Sequence, residues 1–237
     1  MEAPIVTDLR ALRRALENGV SAERIVWRQG TAPPPALWQL IKRYSIPFQQ
    51  VPPSALPVRK AKWAAYLSPL PLASMQAWLG VAPQGIAVAA LGITDVRNVG
   101  ALLRSAAAFG VKWVLLKSEG SPLLSSEGIW RSSAGALAHL NIVREPRALH
   151  ALQSLRSRGW RLVATVPPSY EATPYTEYNW HEPSILLFGD EEKGLPEIYL
   201  QLCDVRLTIP HLPIVESLNV SVAAGILLAT AYARSLP

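Results

Sequence analysis

The chain is poor in the residues that build disulfides and metal clusters. Of its 237 residues one is cysteine, Cys203, and four are histidine. An intrachain disulfide and a cysteine-cluster metal site are therefore excluded, and a reducing compartment is the natural expectation. No run of about 18 uncharged apolar residues occurs before the last helix-like segment. That segment, VSVAAGILLATAYA from Val220, is too short and too rich in small residues to span a bilayer comfortably. The opening MEAPIVTDLRALRRALENG interrupts with acids and arginines the apolar core that a secretory leader needs. The expectation from these absences is a soluble, cytoplasmic protein with no metal and no membrane partner. Internal repeats and low-complexity tracts are missing too. So is the G-x-G-x-x-G turn that a nicotinamide-dependent enzyme would carry after its first α/β strand.

What is present is enough apolar sequence to bury a sizeable core: half of the residues are hydrophobic and 17% are charged. The formal net charge is +6 and the pI about 9.7. That balance favours polyanionic partners, although a basic surface also serves plain solubility.

Two segments follow different patterns. In the first, Leu9, Leu12 and Leu16 form a helical stripe, with Thr7 or Asp8 as cap and Gly19 as stop. ERIVWRQ reads as a strand, PPALWQLIKRYSI as a proline-started helix and PFQQVP as an extended piece, together a small α/β unit over residues 1–55. Residues 56–84 are dense in proline and contain the basic RKAK with Trp63, Tyr66 and Trp78. This stretch reads as a linker with partial structure. Its tryptophans either pack on a neighbouring domain or, interleaved with the basic residues, form an RNA-contacting strip.

From Gly85 onward, GIAVAALGI, VKWVLLK, RLVATV, SILLFGD and VRLTIP read as strands without polar alternation, each followed by a helix, the grammar of a parallel sheet covered on both faces. Ligands of such sheets sit at the carboxyl ends of the strands, which directs attention to the loops there. In TDVRNVGALLRSAAAFG, Asn98 and Gly100 follow a strand and Arg104 lies six residues after Asn98. LLFGDEEKGLPE brings Gly189, Glu191 and Gly194 after a buried strand. IPHLPIVESLNVSVAAGILL carries Ile209 at a strand end, then Ser217, Leu218 and Asn219 at the entry of the last apolar helix. Taken singly, Asn98 and Ser217 are ordinary helix caps.

Taken together, the three loops in this order and spacing, with SSAGAL at residues 132–137, resemble the motifs of the SpoU (TrmH-type) RNA 2′-O-ribose methyltransferases of the SPOUT superfamily. The resemblance covers residues 85–235. It implies an α/β fold in which the carboxyl-terminal segment threads a deep trefoil knot, an exception to the rule against threading, with residues 85–237 as the knotted domain. It also implies S-adenosyl-L-methionine as cofactor, contacted by Gly189, Ile209 and Leu218, with Thr165 on the adenosine side. Asn98, Arg104, Glu191, Ser217 and Asn219 would be the catalytic set. Arginine keeps its proton in nearly all protein settings, so Arg104 is read as an electrostatic clamp on the 2′-oxygen rather than as the base. Asn98, Ser217 and Asn219 would position the reacting groups, and Glu191 would orient Arg104 or another donor.

The sequence departs from the family pattern at Asp190, Glu192, His211 and Pro213, positions that line loops, and His211 is read as part of a wall. The first 55 residues resemble, in order of elements, the small RNA-binding domain of the ribosomal RNA members. Large-subunit ribosomal RNA is accordingly the expected substrate. Transfer RNA and a catalytically inactive knotted RNA-binding protein are the alternatives, and a homodimer paired through the last helices is the expected assembly. Removal of residues 1–80 is expected to leave a folded, cofactor-binding dimer, unless the first unit serves only to stabilise the fold.

Overall fold

In the computed structural model, which describes residues 3–236, the chain forms two sheets. Strand β1 (Ile5–Val6) leads into helix α1 (Leu9–Glu17), which starts where Asp8 accepts a hydrogen bond from the Ala11 N–H. Strand β2 (Ala22–Arg28), helix α2 (Pro35–Arg43, with proline in its first turn) and strand β3 (Phe48–Val51) follow as expected. The linker expectation does not hold for residues 63–67. They form strand β4 (Trp63–Leu67), inserted between β1 and β2, in a four-stranded sheet of order β1-β4-β2-β3. Prolines on both sides mask a strand whose Trp63, Ala64, Ala65 and Leu67 are all buried.

Helix α3 (Met75–Leu79) places Trp78, fully buried, against the second unit, stacked on Trp113 at 5.3 Å and edge-on to Trp160 at 6.0 Å. Trp78 is thus a core residue, and Trp63 is buried in its sheet with an edge on a cavity, rather than either forming an exposed strip.

The second sheet begins with β5 (Ile86–Ala90), α4 (Val96–Ala108), β6 (Trp113–Lys117) and α5 (Glu127–Ser132). The next elements are β7 (Asn141–Glu145), α6 (Ala148–Ser157), β8 (Arg161–Val166) and β9 (Thr173–Pro174). The chain ends with β10 (Ser184–Phe188), α7 (Glu197–Leu202), β11 (Val205–Thr208) and α8 (Val220–Ser235). The seven strands run in the order β7-β6-β5-β10-β8-β11-β9, and every pairing is parallel.

Side chains alternate across the sheet with period two. Val88, Ala90, Leu186 and Phe188 face α4 and α8, while Ala87, Ala89, Ile185 and Leu187 face α6, α7 and Trp78. The first of these cores continues without a break into the amino-terminal unit through Leu12, Ile25, Leu37 and Leu67. At the seam Gly135, at φ +76°, lies so close to α1 that an added Cβ would stand 2.7 Å from Ala11 Cα.

Candidate active site

Three loops meet at the carboxyl ends of β5, β10 and β11, where the parallel sheet leaves its ligand position open. The first is the start of α4. Asp95 caps it by accepting from the Arg97 N–H at 2.6 Å, so Asn98 is free of the capping role and stands one turn inside the helix. The Arg97 guanidinium and the backbone N–H beside Asp95 hold its carboxyl down at about 2. Gly100 lets α4 approach α5 closely: a Cβ there would overlap the Ser132 hydroxyl at 1.8 Å. This contact gives SSAGAL its place in the pattern, beneath the first loop.

The second loop turns on Gly189, where a Cβ would meet the Gly194 backbone at 2.3 Å. Asp190 closes the turn, its side chain accepting from the backbone N–H groups of Glu192 and Lys193 at 2.9 Å each. Those two hydrogen bonds lower the Asp190 pKa. A departure from the family pattern is here the residue that folds the loop and presents Glu191.

The third loop ends at Asn219, whose side-chain oxygen accepts from the Ser221 N–H at 2.9 Å and the Val222 N–H at 3.4 Å. Asn219, not Ser217, is the cap of α8.

The three loops are joined by a chain of side-chain hydrogen bonds. Asn219 Nδ2 donates to Asn98 Oδ1 at 3.0 Å, and Asn98 Nδ2 donates to Glu191 Oε1 at 3.0 Å. The primary amide at position 98 accepts from one neighbour through its oxygen and donates to the other through its nitrogen. Glu191 therefore orients Asn98 and not Arg104. Six residues further along α4, roughly 240° around the helix, Arg104 is exposed and makes no hydrogen bond or ion pair with a described residue.

Beside this chain lies a cleft lined by Thr165, Gly189, Glu191, Ile209, Ser217, Leu218 and Asn219, so every expected cofactor-binding position shares one cavity. The Thr165 hydroxyl donates to Leu187 O at 2.7 Å, tying β8 to β10. His211 Nδ1 donates to Ile209 O at 2.8 Å, which makes the ring a fixed wall. Sequence reasoning missed Val166, Pro167 and Pro168 on the opposite side. The proline pair directly after a strand is the signal that could have marked them.

The cavity has apolar walls at Phe188, Leu207 and Leu227 and three acids on its lip, Asp190, Glu191 and Glu192; among the described residues no lysine or arginine lines it. Apolar walls suit an adenine ring, and the acidic lip suits a sulfonium or ammonium cation. The donor set thus fits S-adenosylmethionine. Among the described residues no group of His, Cys, Asp and Glu could hold a metal ion, and no helix is long and apolar enough to cross a membrane.

The model of the SpoU rRNA Methylase family matches residues 85–229. A Mycobacterium avium protein named an uncharacterized tRNA/rRNA methyltransferase is 37% identical over 147 residues, 62% of this chain and 47% of that one. The chain spans about half the length of the curated relatives it matches. Among solved structures, an RNA 2′-O ribose methyltransferase aligns with a TM-score of 0.77 at 27% identity, over 98% of this chain and 89% of its own. The SpoU methyltransferase AviRb from Streptomyces viridochromogenes, in complex with the cofactor AdoMet, aligns with a TM-score of 0.82 at 22% identity, over 97% and 89%.

Proposed function

Because the chain belongs to the SpoU rRNA methylase family, we propose that it is an S-adenosylmethionine-dependent RNA 2′-O-ribose methyltransferase acting on large-subunit ribosomal RNA. The observation that carries the reading is the Asn219–Asn98–Glu191 chain at the rim of an acid-lipped, cation-free cleft. Gly189, Ile209 and Leu218 would hold the cofactor, with Thr165 on the adenosine side. When bound, the cofactor supplies a methyl group on a sulfonium that is already a good leaving group.

The protein's share of the work is alignment and charge stabilisation, since a ribose hydroxyl ionises far above neutral pH. Asn98 and Asn219, locked in one hydrogen-bond chain, fix the loops on either side of the attack line. Ser217, exposed at the cleft mouth, offers a hydroxyl to the incoming ribose. Arg104, free of any partner among the described residues, is available to clamp the 2′-oxygen and its neighbouring phosphate by its planar fork.

Three further parts belong to the same reading. Strand β10 lies between β5 and β8, while α8 returns to pack on α4; this order supports a trefoil knot in residues 85–237. Val222 and Tyr232 expose apolar surface along α8, which supports a homodimer paired through that helix, to be read by light scattering at micromolar concentration. The amino-terminal unit, with its LRALRR helix, is assigned to RNA recognition, and the cytoplasm is where such a substrate resides.

The test is transfer of labelled methyl groups to large-subunit ribosomal RNA and to transfer RNA, followed by digestion to nucleosides. A 2′-O-methylnucleoside from ribosomal RNA supports the reading. Faster transfer to transfer RNA replaces the substrate, and base methylation or no transfer rejects the reaction.

A further inference from the structure

A second cavity, of about 670 Å³, opens between the amino-terminal sheet and α5, well separated in its lining from the cleft described above. Its floor is a cross-strand pair of indoles, Trp27 on β2 opposite Trp63 on β4, both more than nine-tenths buried. One side is the rigid run Pro33–Pro34–Pro35, which offers apolar surface with little freedom to lose. The rim carries Lys60, Lys62 and Arg131 and, among the described residues, no acid. Arg131 is paired with Glu127 just outside the cavity, whereas Lys60 and Lys62 form no ion pair among the described residues.

Two hydroxyls complete the lining. Thr7 donates its proton to Glu127 Oε1 at 2.6 Å and Thr31 donates to Arg28 O at 2.6 Å, which leaves both oxygens as acceptors. The Trp27 indole N–H lies buried with no partner among the described residues.

Cations at the mouth, aromatic rings on the floor and acceptors on the wall match an unpaired nucleotide with a ribose hydroxyl. The volume lies in the range of small-molecule sites. The geometry points to this cleft as an anchoring site for one unpaired nucleotide of the substrate RNA: base against Trp27 and Trp63, flanking phosphates on Lys60 and Lys62, and 2′-hydroxyl on Thr7 or Thr31. The inference rests on the RNA methyltransferase reading and adds a second grip on the RNA at the seam between the two units. Because Arg131 comes from α5 and the remaining lining from the first unit, the site exists only in the intact chain.

The test uses the full chain and a short single-stranded oligouridylate carrying one 4-thiouridine. Photocrosslinks are expected within residues 27–35 and 58–63. The K60A/K62A variant is expected to weaken oligouridylate binding about tenfold. It should also flatten the salt dependence by about 1.4 in log–log slope, two phosphates' worth for a single strand. S-adenosylmethionine affinity, read by calorimetry, is expected to stay unchanged. Crosslinks confined to other segments, or a K60A/K62A variant with unchanged RNA affinity and salt slope, would overturn the inference. Failure of S-adenosylmethionine binding in the unmodified chain would instead overturn the methyltransferase reading, so the two failures are distinct.

Discussion

Asn98 is the residue on which the candidate site turns, because its amide hydrogen-bonds to both of the other loops. Replacing it by alanine removes the link between the α4 and α8 entries and releases Glu191. Misplacement of reacting groups by about 1 Å can cost about 10²-fold in rate. Asn98→Ala is therefore expected to lower kcat about 10²-fold while cofactor affinity, held by the cleft walls, stays within a few fold; single-turnover kinetics beside calorimetry check this. Arg104 is the opposite case, a charge with no partner among the described residues. Arg104→Ala should abolish turnover without weakening cofactor binding, and Arg104→Lys should restore little, since an ammonium lacks the planar fork. Near-normal turnover of Arg104→Ala would remove the clamp assignment. Asp95 acts through the helix. Its carboxyl sits at about 2, below the ordinary 3.8, so its support for α4 is complete above the ordinary carboxylate range and is lost as pH falls toward 2. In Asp95→Asn that acid-sensitive component should be absent, which circular dichroism against pH would reveal.

At the scale of elements, Gly100 and Gly189 show what a short motif records. Neither has a positive φ; both are glycine because another piece of chain occupies the place of a Cβ. Gly100→Ala should force α4 away from Ser132 and cost about 1–3 kcal/mol, measured by denaturant unfolding, with activity falling as Asn98 shifts. The parallel strands were legible because β5, β6, β8 and β10 are near-continuous apolar runs, buried on both faces. Strand β7 escaped because only Ile142 and Val143 of its five residues are buried, and β4 because prolines flank it. The site was legible in outline, as three loops whose order and spacing match a family. Its wiring was not. The Asn98–Glu191 contact joins residues 93 apart, and no local pattern announces that Asn219 caps α8 while Ser217 does not. Asp190 looked like a loss from the pattern, and only the folded turn shows its carboxyl holding the loop.

For the whole molecule, the division into a tethered RNA-binding unit and a self-sufficient catalytic domain meets the continuity of the core. Buried residues of α1, β2 and β4 belong to the same apolar cluster as α4, α8 and one face of the large sheet. The seam is tight: Gly135 abuts the backbone of α1, Arg14 donates to Ala134 O at 2.9 Å, and Thr7 donates to Glu127. A cut after residue 80 would also remove Trp78, the fully buried ring between Trp113 and Trp160 on the opposite face of the sheet. Loss of a buried tryptophan side chain alone costs about 3–5 kcal/mol, a large share of the 5–15 kcal/mol that holds a typical domain together. Deletion of residues 1–80 is accordingly expected to give an aggregating or molten chain that no longer binds S-adenosylmethionine, rather than a folded dimer impaired only in RNA affinity. Near-ultraviolet circular dichroism and cofactor calorimetry on the truncated chain check this. A truncated protein with native tertiary signal and unchanged cofactor affinity would mean that the seam contributes little, and that the large sheet carries its own stability despite the exposed face left by α1. In the expected case truncation cannot separate folding from recognition, and the RNA role proposed for the first unit is tested through surface charges that leave the seam intact.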